Sequence, residues 1–148
     1  MQNNLDSIDL HLLKLLKENA KLNTKELAAE IGLSTTPTFE RIKRLERNGV
    51  IKSYQAILDK KKIGLNLQVV CRVSLKSHNL EQISAFENAV IHLTEVQSCY
   101  HIAGDFDYSL FVEVADIETY HHFLKYQLTS IPNIANVQSS FVLNCLKE

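Results

Sequence analysis

The chain has 148 residues, 45% of them hydrophobic and 22% charged, which suits one ordinary soluble domain or two small ones with real cores. No apolar run approaches the ~20 residues of a membrane helix, and the opening MQNNLDSIDLHLL has no basic n-region, apolar h-region or cleavage site, which predicts a cytoplasmic location. The net charge of −1 hides an asymmetry: residues 1 to 62 carry 12 Lys or Arg against 8 Asp or Glu, and residues 63 to 148 carry 4 against 9. A basic first module that can meet phosphate and an acidic second one are expected from this.

In chain order, Asp6 is placed to cap a first helix in which Ile8, Leu12, Leu15 and Leu16 recur at helical spacing until about Asn19. Asn23 with Glu26 three residues on predicts a capping box for a second helix, whose buried stripe is Leu27, Ala28 and Ile31. Gly32 suits the left-handed residue that ends it, and Ser34, Thr35 or Thr36 can cap a third helix running through Pro37 to Asn48-Gly49. At about 100° per residue, Phe39, Ile42 and Leu45 are expected to be its buried side, opposite Thr36, Glu40, Lys43, Arg44 and Arg47, with Arg41 on the flank.

Two short helices joined by a Gly-Leu-Ser turn, the second one basic, have the form of a helix-turn-helix, whose second helix fits a DNA major groove. The candidate DNA contacts are Ser34, Thr35, Thr36, Thr38, Arg41, Lys43, Arg44 and Arg47, hydroxyls and cations able to reach phosphates and base edges, with Arg44 and Thr36 foremost. A Lys- and Arg-rich surface helix in an ordinary bundle is the plain alternative. After Gly49, VIKSYQAILD predicts a short strand or wing leading into a linker, and Lys60-Lys61-Lys62 with Gly64 marks the module boundary. That lysine run either touches the DNA backbone or is simply solvated.

From Leu67 the pattern changes: LQVVCRVSL as a strand, LEQISAFENAVIHL as a helix, then VQSCYHIA and YSLFVEV as strands around a GDFD turn. A helix capped by Asp116 follows, broken at Pro132-Asn133 before a last strand VQSSFVLNC. The order β-α-β-β-α-β predicts a ferredoxin-like sheet with helices on one face. The fold class is therefore α+β: a three-helix helix-turn-helix domain at 1–50, a strand and linker at 51–64, and a ferredoxin-like domain at 65–148. The strands look apolar on both alternating sets, so a partner's sheet is the expected cover and a homodimer the expected state.

Cys71, Cys99 and Cys145 show no CxxC spacing and sit in strand-like runs, so they read as buried thiols rather than bridges or ligands. The six histidines are scattered without an i, i+4 pair, and neither a metal site nor a cofactor is assigned. No catalytic constellation can be placed either; His101 beside Asp105 and Asp107 is the nearest to an acid-base set, and the chain is read as a non-enzyme.

Taken together, the opening LDSIDLHLLKLLKENAKLNTKELAAEIGLS, the ERIKRLERNGVIKSYQAILD stretch, IGLN, EVQSCYHIAGDFDYSLFVEV and SSFVLNCLK resemble the Lrp/AsnC (leucine-responsive, feast/famine) transcriptional regulators of bacteria and archaea, nearly end to end. The resemblance implies a nucleoid-associated, DNA-binding N-terminal domain and a C-terminal domain that senses a small effector, typically an amino acid, and assembles dimers into tetramers or octamers. It also implies an effector site at the turn between VQSCYHIA and YSLFVEV, where Gly104, Asp105, Phe106 and Asp107 stand at the family's Gly-x-x-Asp segment, with Ser139 and Ser140 as further candidates from a neighbouring subunit. Glycine there lets N–H groups meet a carboxylate while the two Asp side chains accept from an α-ammonium group; a plain Gly-Asp hairpin is the other reading. Two departures from the family pattern are a later Pro at the entry to the third helix and an acid, Glu40, on the face that meets DNA. An effector-independent architectural DNA-binding protein is the second functional reading.

Overall fold

The computed structural model describes residues 5–146. The first four residues of the stretch weighed as a secretory signal, and the last two of the chain, lie outside them. The chain divides into two compact units, Met1–Ile57 and Leu58–Glu148. Among the described residues no helix is long and apolar enough to cross a membrane.

The first unit has three helices, α1 (Ser7–Glu18), α2 (Thr24–Ile31) and α3 (Thr35–Arg47). Asp6 caps α1 and exchanges bonds with Asp9, and Asn23 does the same with Glu26 at α2, so both helices begin in capping boxes. Gly32 ends α2 at φ +69°, and Leu33 N–H then donates to Ala28 O at 3.0 Å, closing the turn into α3. Leu12, Leu16, Leu27 and Ile42 form the core, flanked by Leu15, Leu22, Ile31 and Ile51.

The buried stripe of α3 is Thr38, Ile42 and Leu45, an i, i+4, i+7 set, whereas Phe39 is 46% exposed. Ile42 and Leu45 face inward as expected, and Thr38 takes the inward place expected of Phe39. A second difference concerns the wing: residues 52–59 contain no strand, since no described residue of the unit pairs with them. Tyr54 from this extended segment donates its hydroxyl to Glu46 at 3.0 Å, and Tyr54, Ile57 and Leu58 are exposed.

The second unit opens with a 3-10 turn, Lys61–Ile63, ending at Gly64 with φ +84°, so the lysine run is structured rather than an open linker. The expected βαββαβ order follows: β1 (Leu67–Leu75), α4 (Leu80–Val90), β2 (Val96–His101), β3 (Tyr108–Val114), α5 (Ile117–Tyr126) and β4 (Ile134–Phe141). All pairs are antiparallel in the order β2-β3-β1-β4. Asp116 caps α5 by accepting from Thr119 N–H, and Asn133, at φ 72°, turns the chain into β4 while bonding both backbone groups of Ser77.

Alternation sorts the strands. Val69, Cys71, Val73 and Leu75 of β1 and Tyr108, Leu110, Val112 and Val114 of β3 point to one face, where Phe86, Val90, Tyr120, Phe123 and Leu128 cover them. Each such side chain contributes roughly 1.5–3 kcal/mol by leaving water. The opposite face is less apolar than expected: Val70, Phe111 and Tyr100 stand among Gln68, Arg72, Ser74, Ser109 and Glu113. Lys60 and Gln68 both reach Glu113, at 2.8 and 3.1 Å.

Candidate functional site

Ser34, Thr35, Thr36, Lys43 and Arg47 are exposed along α3 and its entry. Thr38 does not join them. It is fully buried, and its hydroxyl donates to Ser34 O at 2.9 Å, because it lies on the inward stripe with Ile42 and Leu45; its expected DNA contact is withdrawn. Ser34 occupies the N-cap position without a side-chain capping bond, so its hydroxyl remains available.

Arg41 and Arg44 lie on α3 as expected, but each meets an acid of α1 that sequence reasoning passed over. Asp9 is fully buried between the two helices. Arg44 Nη2 donates to both Asp9 oxygens at 2.8 and 2.7 Å, and Arg41 Nη1 donates to Asp9 at 2.8 Å and to Asp6 at 2.6 Å. The backbone N–H of Asp9, then Arg41, hold the Asp6 carboxyl below its usual range, while Asp6 and Asp9 raise Arg41 further. Lys43 is paired to Glu46 at 2.7 Å and lies 5.7 Å above the Phe39 ring. The basic face is therefore largely matched by local carboxylates. The signal was present in the sequence: Asp9 is an acid on the apolar Leu12–Leu16 stripe, and Arg41 and Arg44 are one helical turn apart, ready to meet it.

In the second unit the β2–β3 turn carries Gly104 at φ 139°, with Asp105 exposed and Phe106 and Asp107 half-buried. Asp107 anchors the hairpin. Its N–H donates to Val73 O at 2.9 Å, its C=O accepts from Ile102 N–H at 2.8 Å, and its carboxylate accepts from Leu75 N–H at 2.7 Å and meets His78 Nε2 at 2.8 Å. The Leu75 bond and then His78 keep that carboxyl below its ordinary range. Both oxygens expected to receive an ammonium group are already engaged within the chain. By contrast the N–H groups of residues 103–106 make no backbone bond among the described residues.

Ser139 and Ser140 do not join this turn within one protomer. They pair with Cys71 and Val70 on the β4 side of β1, opposite the β3 side from which the turn emerges. Ser139 faces the helices, where its hydroxyl bonds Tyr120, which also contacts the Cys71 thiol at 3.1 Å; Ser140 is exposed on the other face. His101 stacks on Tyr108 at 4.6 Å and lies 3.9 Å from Glu87, while the partner of Asp107 is His78, so the acid-base set anticipated around His101 is divided.

A capped helix-turn-helix followed by a ferredoxin-like sheet with an open hairpin defines a two-domain DNA-binding regulator. The comparisons agree on both halves. Residues 5–52 match a family model for a winged helix-turn-helix DNA-binding domain, and residues 68–148 match the Lrp/AsnC ligand binding domain. Two curated relatives are similar over nearly their whole length: the Bkd operon transcriptional regulator of Pseudomonas aeruginosa, 38% identical over 94% of this chain and 91% of its own, and the DNA-binding transcriptional activator DecR of Escherichia coli, 37% identical over 97% and 94%. Among solved structures, a transcriptional regulator from Neisseria meningitidis in complex with L-Met superposes with a TM-score of 0.93 at 34% identity, covering 97% of this chain and 93% of that one. The chain belongs to the Lrp/AsnC family and is a DNA-binding transcriptional regulator of that type.

Proposed function

We propose that this regulator is effector-responsive: it binds double-stranded DNA through α3 and takes a free amino acid at the β2–β3 turn between subunits. The observation that carries the effector site is the turn itself, whose N–H groups at 103–106 make no backbone bond beside the exposed Asp105 while Asp107 ties the hairpin to β1. Donors of this kind bind a carboxylate, and the N. meningitidis relative is described with a bound amino acid. Asp105, Gly104 and Phe106 contact the effector directly, Asp107 supports the turn from behind, and Ser140 of a neighbouring subunit completes the pocket.

On the DNA side, Ser34, Thr35, Thr36, Lys43 and Arg47 take phosphate and base-edge contacts, with Arg41 and Arg44 entering from their carboxylate pairs. The assembly is a homodimer that can extend to a tetramer or octamer. Exposed Tyr54, Ile57 and Leu58 on the extended segment, and Tyr100 and Phe111 on the open sheet face, supply apolar contact area for it. Two recognition helices then meet half-sites roughly 34 to 36 Å apart, or multiples of that. Effector and DNA affect each other through unequal affinity for two arrangements of the assembly. The protein works as a switch on transcription rather than as a catalyst, and acts in the cytoplasm on the nucleoid.

A thermal-shift screen over the proteinogenic amino acids tests the sensing half, since a ligand of the native state raises its stability by mass action. One or a few amino acids are expected to raise the Tm of the wild type and to lose that effect in Asp105→Ala. No shift with any of them would overturn the effector reading.

A further inference from the structure

We propose that Asp6, the N-cap of α1, and Asp9 in its first turn are specificity-determining residues of DNA recognition, acting through Arg41 and Arg44 by holding both guanidiniums back from indiscriminate phosphate contact. The proposal rests on the reading of α3 as the DNA face.

Three of the four cations on α3 have a carboxylate within 2.6 to 2.8 Å: Arg41 has Asp6 and Asp9, Arg44 has Asp9, and Lys43 has Glu46. Arg47 alone among them has no ion-pair partner within the described residues. Counting Glu40 as well, four cations on α3 stand against four anions, Glu40 and Glu46 on α3 itself and Asp6 and Asp9 at the start of α1, so the +2 of the helix is offset by its neighbour.

Sequence-independent DNA binding is almost wholly electrostatic, growing with each phosphate that a free cation neutralises. A guanidinium already matched by a carboxylate gains little from a passing phosphate, which it can only approach by leaving its partner or by bringing the acid along. Directional hydrogen bonding is affected less. Arg44 meets Asp9 through Nη2 and Arg41 meets its two acids through Nη1, which leaves the other nitrogens of each fork available. Asp9 fixes where those remaining edges point, since it is fully buried and bonded to both arginines. The two acids therefore lower background binding more than they lower binding at a site whose base edges match the forks.

Asp6→Asn is the decisive variant, because an asparagine side-chain oxygen can still accept the Asp9 N–H and keep α1 capped, while one of the two charges facing Arg41 is removed and Asp9 remains. Asp9→Asn is the stronger perturbation in the same direction, and its melting curve reports whether the helix pair survives. Full-length protein is titrated into a random-sequence duplex, and into a duplex that the wild type selects from a random library, by fluorescence anisotropy between about 50 and about 200 mM KCl. The Asp6→Asn protein is expected to bind the random duplex more tightly. Its log-log salt slope should be steeper by roughly 0.9 per added phosphate contact, so that its advantage over the wild type shrinks about 3-fold across that range. Its ratio of selected to random affinity is expected to fall. A merely structural role for Asp6 would weaken both duplexes together without steepening the slope, and that result would overturn the proposal.

Arg47→Gln separates the two readings. Weaker binding of the random duplex with a shallower slope is expected from it. If that is seen while Asp6→Asn equals the wild type, the acidic restraint is wrong and α3 remains the DNA face; if Arg47→Gln changes nothing, α3 is not the DNA face and the restraint fails with it.

Discussion

Replacing Asp107 by alanine removes a carboxylate and leaves the hairpin backbone bonds in place, so its cost follows from two interactions. The first is the bond from Leu75 N–H at 2.7 Å, made to a charged acceptor at a residue that is 5% exposed; such bonds contribute about 1.5–3 kcal/mol. The second is the His78 pair, with the imidazole 61% exposed, which contributes about 1 kcal/mol or less after solvent screening. The sum is a destabilisation of about 1.5 to 4 kcal/mol, and Asp107→Asn, which can still accept from Leu75 as a neutral amide, is expected to lose roughly half of it.

The pH dependence has a definite sign. A carboxyl held below its ordinary range contributes fully above its unfolded pKa, about 3.9, and the contribution is lost as pH falls through the lower folded value. The gap between wild type and Asp107→Ala should accordingly close in acid. Urea unfolding at fixed protein concentration, from pH 7 downward, measures it, and amide exchange at Leu75 locates it. A loss below about 0.5 kcal/mol with unchanged Leu75 protection would refute the anchoring role. The same reasoning makes Asp107 a poor probe of effector binding, since its removal loosens the turn that holds the effector; Asp105 is the cleaner choice.

Three further outcomes are expected. Thr38→Val should cost about 1 kcal/mol by deleting the buried bond to Ser34 O, with DNA affinity unchanged in a filter or anisotropy assay; a tenfold loss of affinity would return Thr38 to the interface. Gly32→Ala places a Cβ in open space at φ +69°, so only the backbone penalty of roughly 1–2 kcal/mol applies, and a melting temperature equal to wild type would contradict it. Burial raises the Cys99 thiol to about 11 and also raises Cys71, which is fully buried, so alkylation at pH 8 should label Cys99 slowly and Cys71 only on unfolding.

The elements most legible in the sequence were those with local causes. Asn23 with Glu26, Gly32 and Asp116 each mark a boundary through a bond or a dihedral that belongs to the same few residues, and all three act as expected, whereas α5 ends at Tyr126, ahead of the break expected at Pro132-Asn133. The ferredoxin-like order was readable for a similar reason, because Val69, Cys71, Val73 and Leu75 alternate against Tyr108, Leu110, Val112 and Val114 without help from elsewhere.

What stayed hidden depends on partners distant in sequence. Thr38 and Phe39 are adjacent, and only the packing of α3 on α1 and α2 decides which turns inward. The charge on Arg41 and Arg44 looks free until Asp6 and Asp9, more than thirty residues earlier, come beside it. Asp107 reads as a ligand acceptor until Leu75 and His78 are seen to hold it. The wing expected after Gly49 needs a strand to pair with, and the described residues of the unit offer none.

Sequencing the DNA fragments that the purified full-length protein retains from sheared genomic DNA, with and without a mixture of the proteinogenic amino acids, tests the account most directly. A limited set of discrete fragments whose retention changes when amino acids are present is the expected result. Even retention across the genome, indifferent to amino acids, would contradict an effector-responsive regulator.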